Sequence, residues 1–219
     1  LACYIIVLKI LISGSILSKR LFVPDTKIIG GSEAPDGSIP YQASLRNGIH
    51  HFCGATVIGK RWVITAAHCI FFRFPADVIR VVIGTNSLVT GGDKYSVENV
   101  FIHEEFDQST ILNDISLIKV NEDIRFSERV KPIEIADGPC SLGANVLLTG
   151  WGRTTLAIVN IVFSIVVCVV STNGDSGGPL VLDNKLVGIV SWGVDCDLYY
   201  PDVNTDVWIS ATNSSSAQI

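Results

Sequence analysis

The feature that most constrains this chain is a series of short β-rich segments beginning at Tyr41: "YQASL", "RWVITAA", "VIRVVIG", "YSVENVFI", "ISLIKV" and "NVLLTGWG". Val, Ile, Thr and aromatic residues recur in them, and Gly, Asn, Asp and Pro separate them. Many short strands at this spacing predict an all-β barrel or sandwich. No long segment carries a helical period, and no internal repeat is found. The stretch "NEDIRFSERVKPIEIADGP" is polar and carries proline, so it reads as a link between two subdomains. With 219 residues the chain has room for one large domain or two small ones. Charged residues at 17% against 48% hydrophobic ones can supply a sizeable core and do not suit a disordered chain.

The same composition narrows the partners. The net charge is −5 and no Lys/Arg run exists, so no footprint for nucleic acid or a membrane surface is expected. The six cysteines form no C-x-x-C pair and no H-E-x-x-H is present, so neither a metal site nor a cofactor is expected. Residues 1–15, "LACYIIVLKILISGS", run apolar from Tyr4 to Ile12 and then turn to small residues at Ser13 and Ser15. They read as part of a signal peptide, although Lys9 interrupts the run and a buried strand is the other reading. Secretion makes the cysteines disulfide candidates. A second apolar stretch, "LAIVNIVFSIVVCVVS" (156–171), does not alternate and reads as one buried strand or two short ones. As a helix, Leu156 to Val170 would span about 22 Å, short of a bilayer core of roughly 30 Å.

The chemistry sits in three further segments. "TNGDSGGPL" gathers glycines around Ser176, which suits either a surface turn or a nucleophile flanked by N–H donors. "WVITAAHC" delivers His68 at the end of a strand, and "NDISLIKV" delivers Asp114 at the start of one. A histidine beside a cysteine is more often packed, and an Asp before a strand is more often a cap. Together the three supply the parts of nucleophilic acyl transfer: a hydroxyl, a base, and a carboxylate to orient the base.

With "KIIGG", "LLTGWG" and "SWG" in the same order, these segments resemble the chymotrypsin-like (trypsin-family) serine peptidases, insect type, from Lys27 to about Val207. The resemblance implies two packed six-stranded antiparallel β-barrels over residues 28–207. It implies Ser176 as nucleophile, His68 as base and acid, Asp114 as its orienter, and the N–H groups of Gly174 and Ser176 as oxyanion donors. It implies that residues 16–27 are an activation propeptide cut at Lys27–Ile28, the freed Ile28 ammonium pairing with Asp175. It pairs Cys53 with Cys69 beneath the histidine. It makes Ser191, Trp192 and Gly193 a substrate-binding strand, with Ser191 also facing Asp114. His50, His51 and His103 read as ordinary surface or core residues.

The chain departs from that family in two places. Only residues 154–173 separate Arg153 from Gly174, where the family has a longer segment holding strands of the second barrel and the base of the specificity pocket. The second barrel is therefore expected to be incomplete. Thr172 stands where the family has a cysteine, which leaves Cys196 without its usual mate and the pairing of Cys140 and Cys168 open. Residues 208–219 form a polar, atypical tail instead of a closing amphipathic helix. The implied function is a secreted, digestive serine endopeptidase made as a zymogen. It would act as a monomer on proteins or peptides, be activated by a trypsin-like protease and meet protein inhibitors. An impaired homologue acting as a binding module, or a truncated product without function, is the alternative. A pocket base near Val170 predicts a chymotrypsin-like preference, whereas Asp202 in the pocket wall would draw a basic residue.

Overall fold

Alternation builds the first half. The computed structural model describes residues 32–71, 74–138, 144, 146–152, 163–164, 174–192 and 203–206. After a two-residue strand β1 (Ser32–Glu33) come β2 (Gln42–Asn47), β3 (His50–Val57), β4 (Trp62–Thr65), β5 (Ile79–Ile83), β6 (Asp93–Ile102) and β7 (Ser116–Val120). The last six close a barrel in the order β2-β3-β4-β7-β6-β5. Every second residue faces inward: Ala43 and Leu45 on β2, Cys53, Ala55 and Val57 on β3, Val81 and Ile83 on β5, Ile118 and Val120 on β7, all fully buried. A closed barrel leaves no edge strand to aggregate.

The second half is a sheet, open among the described residues. Its members are β8 (Glu134–Ile135), β9 (Leu147–Gly150), β10 (Phe163–Ser164), β11 (Pro179–Leu182), β12 (Lys185–Trp192) and β13 (Val203–Asp206). The order is β1-β10-β9-β11-β12-β13, with β8 parallel to β12. The tight β11–β12 hairpin turns through Asp183 and Asn184, at φ 49° and 60°. Both residues tolerate the left-handed region that a two-residue hairpin requires. The expected all-β architecture is therefore present as one closed barrel and a partial second sheet. The supposed linker contributes β8 to that sheet. The apolar run contributes β10, which pairs with β9 through Phe163–Gly150 and with β1 through Ser164–Ser32.

The two halves meet across Ile64 and Ile115 from the barrel side and Val181, Leu186 and Ile189 from the sheet. Ile64 faces this junction because its neighbour Val63 faces the barrel core. No helix among the described residues is long and apolar enough to cross a membrane. Residues 1–15, 16–27 and 208–219, and so the boundaries at 28 and 207, lie outside the described residues.

Candidate active site

Each motif is delivered to the junction of the halves by the end of a strand. After β4 the chain enters α1 (Ala67–Phe71), which carries His68. A disulfide from Cys69 to Cys53 ties that helix to β3, as the resemblance implied. Closing a loop with a sequence separation of 16 is worth about 3 kcal/mol in the chain-entropy model.

Asp114 precedes β7 and is fully buried. Its approach is unusual: Ile111 and Asn113 have φ of 56° and 54°. A β-branched residue rarely adopts that backbone, so the loop needs hydrogen bonds to hold it. Asn113 Nδ2 donates to Glu105 O at 2.8 Å, and Asp107 accepts from Ser109 and Thr110. The Ser109 hydroxyl leads the set that holds the Asp107 carboxyl at about 2.

Asp114 grips His68 at two points. The backbone N–H of His68 donates to Oδ1 at 2.8 Å, and Nδ1 donates to Oδ2 at 2.7 Å. The Ser191 hydroxyl, fully buried, donates to the same Oδ2. Ser191 can do so because β12 shifts register against β13 between Val190 and Trp192, and such a bulge re-aims a side chain. Three donors satisfy the buried carboxylate, which would otherwise be costly. They also fix the imidazole with its proton on Nδ1, leaving a lone pair on Nε2.

Ser176 lies in the turn 174–177, where Gly174 and Gly177 have φ of +117° and +79°. The turn is held from both halves. Gly54 N donates to Ser176 O at 2.8 Å, Gly177 N to Val190 O at 2.7 Å, and Val190 N to Gly178 O at 2.9 Å. Among the described residues neither the N–H of Gly174 nor that of Ser176 donates a hydrogen bond, and the Ser176 hydroxyl makes none. The sulfur of Cys69 lies 3.7 Å from both His68 Nε2 and Ser176 O. A disulfide sulfur carries no proton, so these are contacts rather than hydrogen bonds, and they place Ser176 and His68 on one sulfur. For the same reason the cluster of Cys53, His68 and Cys69 is not a metal-ligand set.

Glycine is required where the halves touch. A Cβ on Gly54 would stand 2.8 Å from Gly178 Cα, and one on Gly150 would overlap the Asp175 carboxylate. Gly54→Ala is expected to lower stability by about 1–3 kcal/mol through overpacking, read as an earlier denaturant midpoint. An unchanged midpoint would show that the turn has slack.

Asp175 is buried, and its Oδ1 accepts the N–H of Gly152 at 2.6 Å. Sequence reasoning missed His51. Its Nδ1 meets Ser44 Oγ at 2.8 Å and its Nε2 meets Gly174 O at 2.9 Å, so it touches the turn that carries Ser176. Trp192 ends β12. Lys27, Ile28, Val170, Gly193 and Asp202 lie outside the described residues, as do Cys168 and Cys196.

Comparison with known proteins agrees with this geometry. The trypsin family model matches residues 28–172 and 161–213. The two matches share part of the apolar run, so the chain follows the family pattern in two pieces. Trypsin epsilon of Drosophila erecta is 32% identical over 250 aligned residues, covering 97% of each chain. That alignment is longer than the 219 residues available, so it opens gaps here. Trypsin II-P29 of Gallus gallus is 34% identical, covering 86% of this chain and 90% of its own. Among solved structures, neuropsin, a serine protease expressed in the limbic system of mouse brain, superposes with a TM-score of 0.74 at 28% identity. It is covered over 96% of its length by 83% of this chain. A closed six-stranded barrel against a second sheet, a buried aspartate gripping a histidine where they meet, and sequence identity along nearly the whole chain have one common explanation: the chain belongs to the trypsin family of serine proteases.

Proposed function

We propose that this chain is a secreted serine endopeptidase, made as a zymogen, that cleaves peptide bonds through Ser176, His68 and Asp114. The observation that carries the reading is the two-point grip of buried Asp114 on His68, with His68 Nε2 and the Ser176 carbonyl oxygen each 3.7 Å from the Cys69 sulfur. Ser176 Oγ attacks the substrate carbonyl carbon while His68 Nε2 takes its proton. The carbonyl electrons move to oxygen, which accepts hydrogen bonds from the N–H groups of Gly174 and Ser176. Collapse breaks the C–N bond as Nε2–H gives its proton to the leaving amine, and an acyl ester on Ser176 remains. Water then repeats both steps with His68 again as base. Asp114 stays ionised throughout and stabilises the imidazolium.

Activation follows from Lys27–Ile28. A trypsin-like protease cuts there, and the new Ile28 ammonium pairs with Asp175, a buried carboxylate that favours a cationic partner. Incubating the chain with trypsin is expected to give the N-terminus "IIGGSEAP". Labelling of Ser176 by a fluorophosphonate is then expected, at a level well below that of a full-length relative, because the family pattern breaks in the apolar run. No cut at Lys27 would remove the zymogen assignment. Labelling equal to the relative would show that the second sheet is functionally whole. Absence of labelling would favour the second reading, an impaired homologue acting as a binding module.

The apolar stretch around Val170 suggests a chymotrypsin-like preference for aromatic residues or leucine. Asp202, and relatives that carry the name trypsin, favour a basic residue instead. Profiling the cleaved chain on a peptide library decides between them. Substrates are proteins or peptides; protein inhibitors and a monomeric state complete the reading.

A further inference from the structure

A buried arginine stands at the head of the hydrogen bonds that reach the Ser176 turn. Ser44 and Arg46 alternate with core-facing Ala43 and Leu45, so both turn away from the barrel interior, yet they are 0% and 3% exposed. The register of β2 on β3 shifts here: Leu45 opposes Cys53, while Arg46 opposes His51. One extra residue on β3 turns the chain to its other face. Phe52 therefore joins Cys53 in the core, and His51 arrives on the face of Ser44 and Arg46.

A continuous relay results. Arg46 Nε donates to Ser44 Oγ at 2.9 Å, Ser44 Oγ lies 2.8 Å from His51 Nδ1, and His51 Nε2 lies 2.9 Å from Gly174 O. The guanidinium is fixed by Nη1 to Leu88 O and Nη2 to Ser87 O, each at 2.9 Å. Donor chemistry sets the direction. A guanidinium only donates, and a carbonyl only accepts. With the neutral ring donating from Nε2, Nδ1 is a lone pair and receives the Ser44 proton. Each bond then polarises the next, and the cation at the head strengthens the Ser44 donor.

We propose that Arg46 is a positioning residue for the oxyanion turn: through Ser44 it holds His51 as the neutral Nε2–H tautomer, whose N–H pins the Gly174 carbonyl. The opposite tautomer sets a lone pair against that carbonyl and releases it. Gly174 sits at φ +117°, a backbone that glycine adopts easily and also leaves easily, so an external hold matters. Among the described residues, Arg46 of β2 reaches this ring through Ser44, and Asp175 follows the Gly174 that the ring contacts. The role rests on the reading of Gly174 and Ser176 as oxyanion donors.

The test uses the full chain cleaved at Lys27, with NMR of the histidine ring nitrogens and of the Gly174 carbonyl. Wild-type His51 is expected as Nε2–H. Arg46→Gln removes the donor to Ser44 Oγ and frees Ser44 to accept from Nδ1–H, so the Nδ1–H tautomer is expected to gain population. Arg46→Gln also strips two bonds from the Ser87–Leu88 segment, and Ser44→Ala is the arm that leaves those bonds in place. Both variants are expected to give mixed tautomers, a shifted Gly174 carbonyl resonance, and labelling slowed roughly tenfold, short of the roughly 10²–10³-fold of a lost oxyanion donor. Arg46→Lys, which keeps the charge, is expected to recover part of the loss. A Ser44→Ala ring that stays wholly Nε2–H with an unmoved Gly174 carbonyl overturns the proposal. If the cleaved wild type does not label at all, the peptidase reading fails, and the ring and carbonyl resonances still decide the role of Arg46.

Discussion

Replacing Ser176 with alanine is expected to lower kcat on a peptide substrate by roughly 10⁶-fold while leaving the folded chain intact. The size follows from what is removed. Without Oγ there is no acyl ester, and the proton that His68 Nε2 would accept is gone. The fold survives because the bonds that place this turn belong to the backbone: Gly54 N to Ser176 O, Gly177 N to Val190 O and Val190 N to Gly178 O. The residual rate, roughly 10³–10⁴ over water in such sites, comes from the oxyanion donors and binding. Adding His68→Ala to the variant is expected to cost almost nothing further, since the two groups act as a unit. Peptide turnover and a thermal melt on the cleaved chain check both halves. A loss under tenfold, with the melt unchanged, would remove Ser176 from the chemistry.

The parts of this molecule that were legible in the sequence are those in which local pattern and tertiary demand agree. The short runs from "YQASL" to "NVLLTGWG" lie on β2, β4, β5, β6, β7 and β9 because alternation fills a barrel core and turn residues stop each strand. His68, Asp114 and Ser176 were legible as candidates because each stands just beyond or before a strand end, in a segment that resembles a family motif. What escaped needed a register. His51 looks like one of two adjacent surface histidines until the shift on β3 turns it toward Ser44 and Gly174. Arg46 sits in a strand as though its charge pointed outward, yet its guanidinium is buried against the carbonyls of Ser87 and Leu88, far along the chain. The parallel pairing of β8 with β12 joins residues some fifty apart without any local mark. The apolar run carries no alternation to assign a face, and its described pair, Phe163–Ser164, forms β10. Contacts of this kind are decided by long-range packing, which no window of sequence contains.

Asp114→Asn is expected to cost roughly 10⁴-fold in kcat near neutral pH with little change in stability. The three donors around the carboxylate decide how the amide settles. Oδ1 accepts the backbone N–H of His68, a donor that cannot turn away, so the amide oxygen takes that position. The NH2 group then occupies the place of Oδ2, facing His68 Nδ1 and the Ser191 hydroxyl. Ser191 can reverse its role and accept, and nothing is left unpaired. His68 cannot do so without consequence. With an N–H aimed at Nδ1, that nitrogen must present its lone pair, and the ring proton moves to Nε2. The nitrogen that should take the proton from Ser176 already holds one. The reverse amide orientation sets NH2 against the His68 backbone N–H and is worse. The imidazole thus keeps its position and loses its function. Ring-nitrogen NMR of the cleaved variant is expected to show His68 as Nε2–H, where the wild type is Nδ1–H. A variant that still reads Nδ1–H, or that turns over within tenfold of wild type, would mean that Asp114 orients His68 without setting its tautomer, and the proposed mechanism would lose its third member.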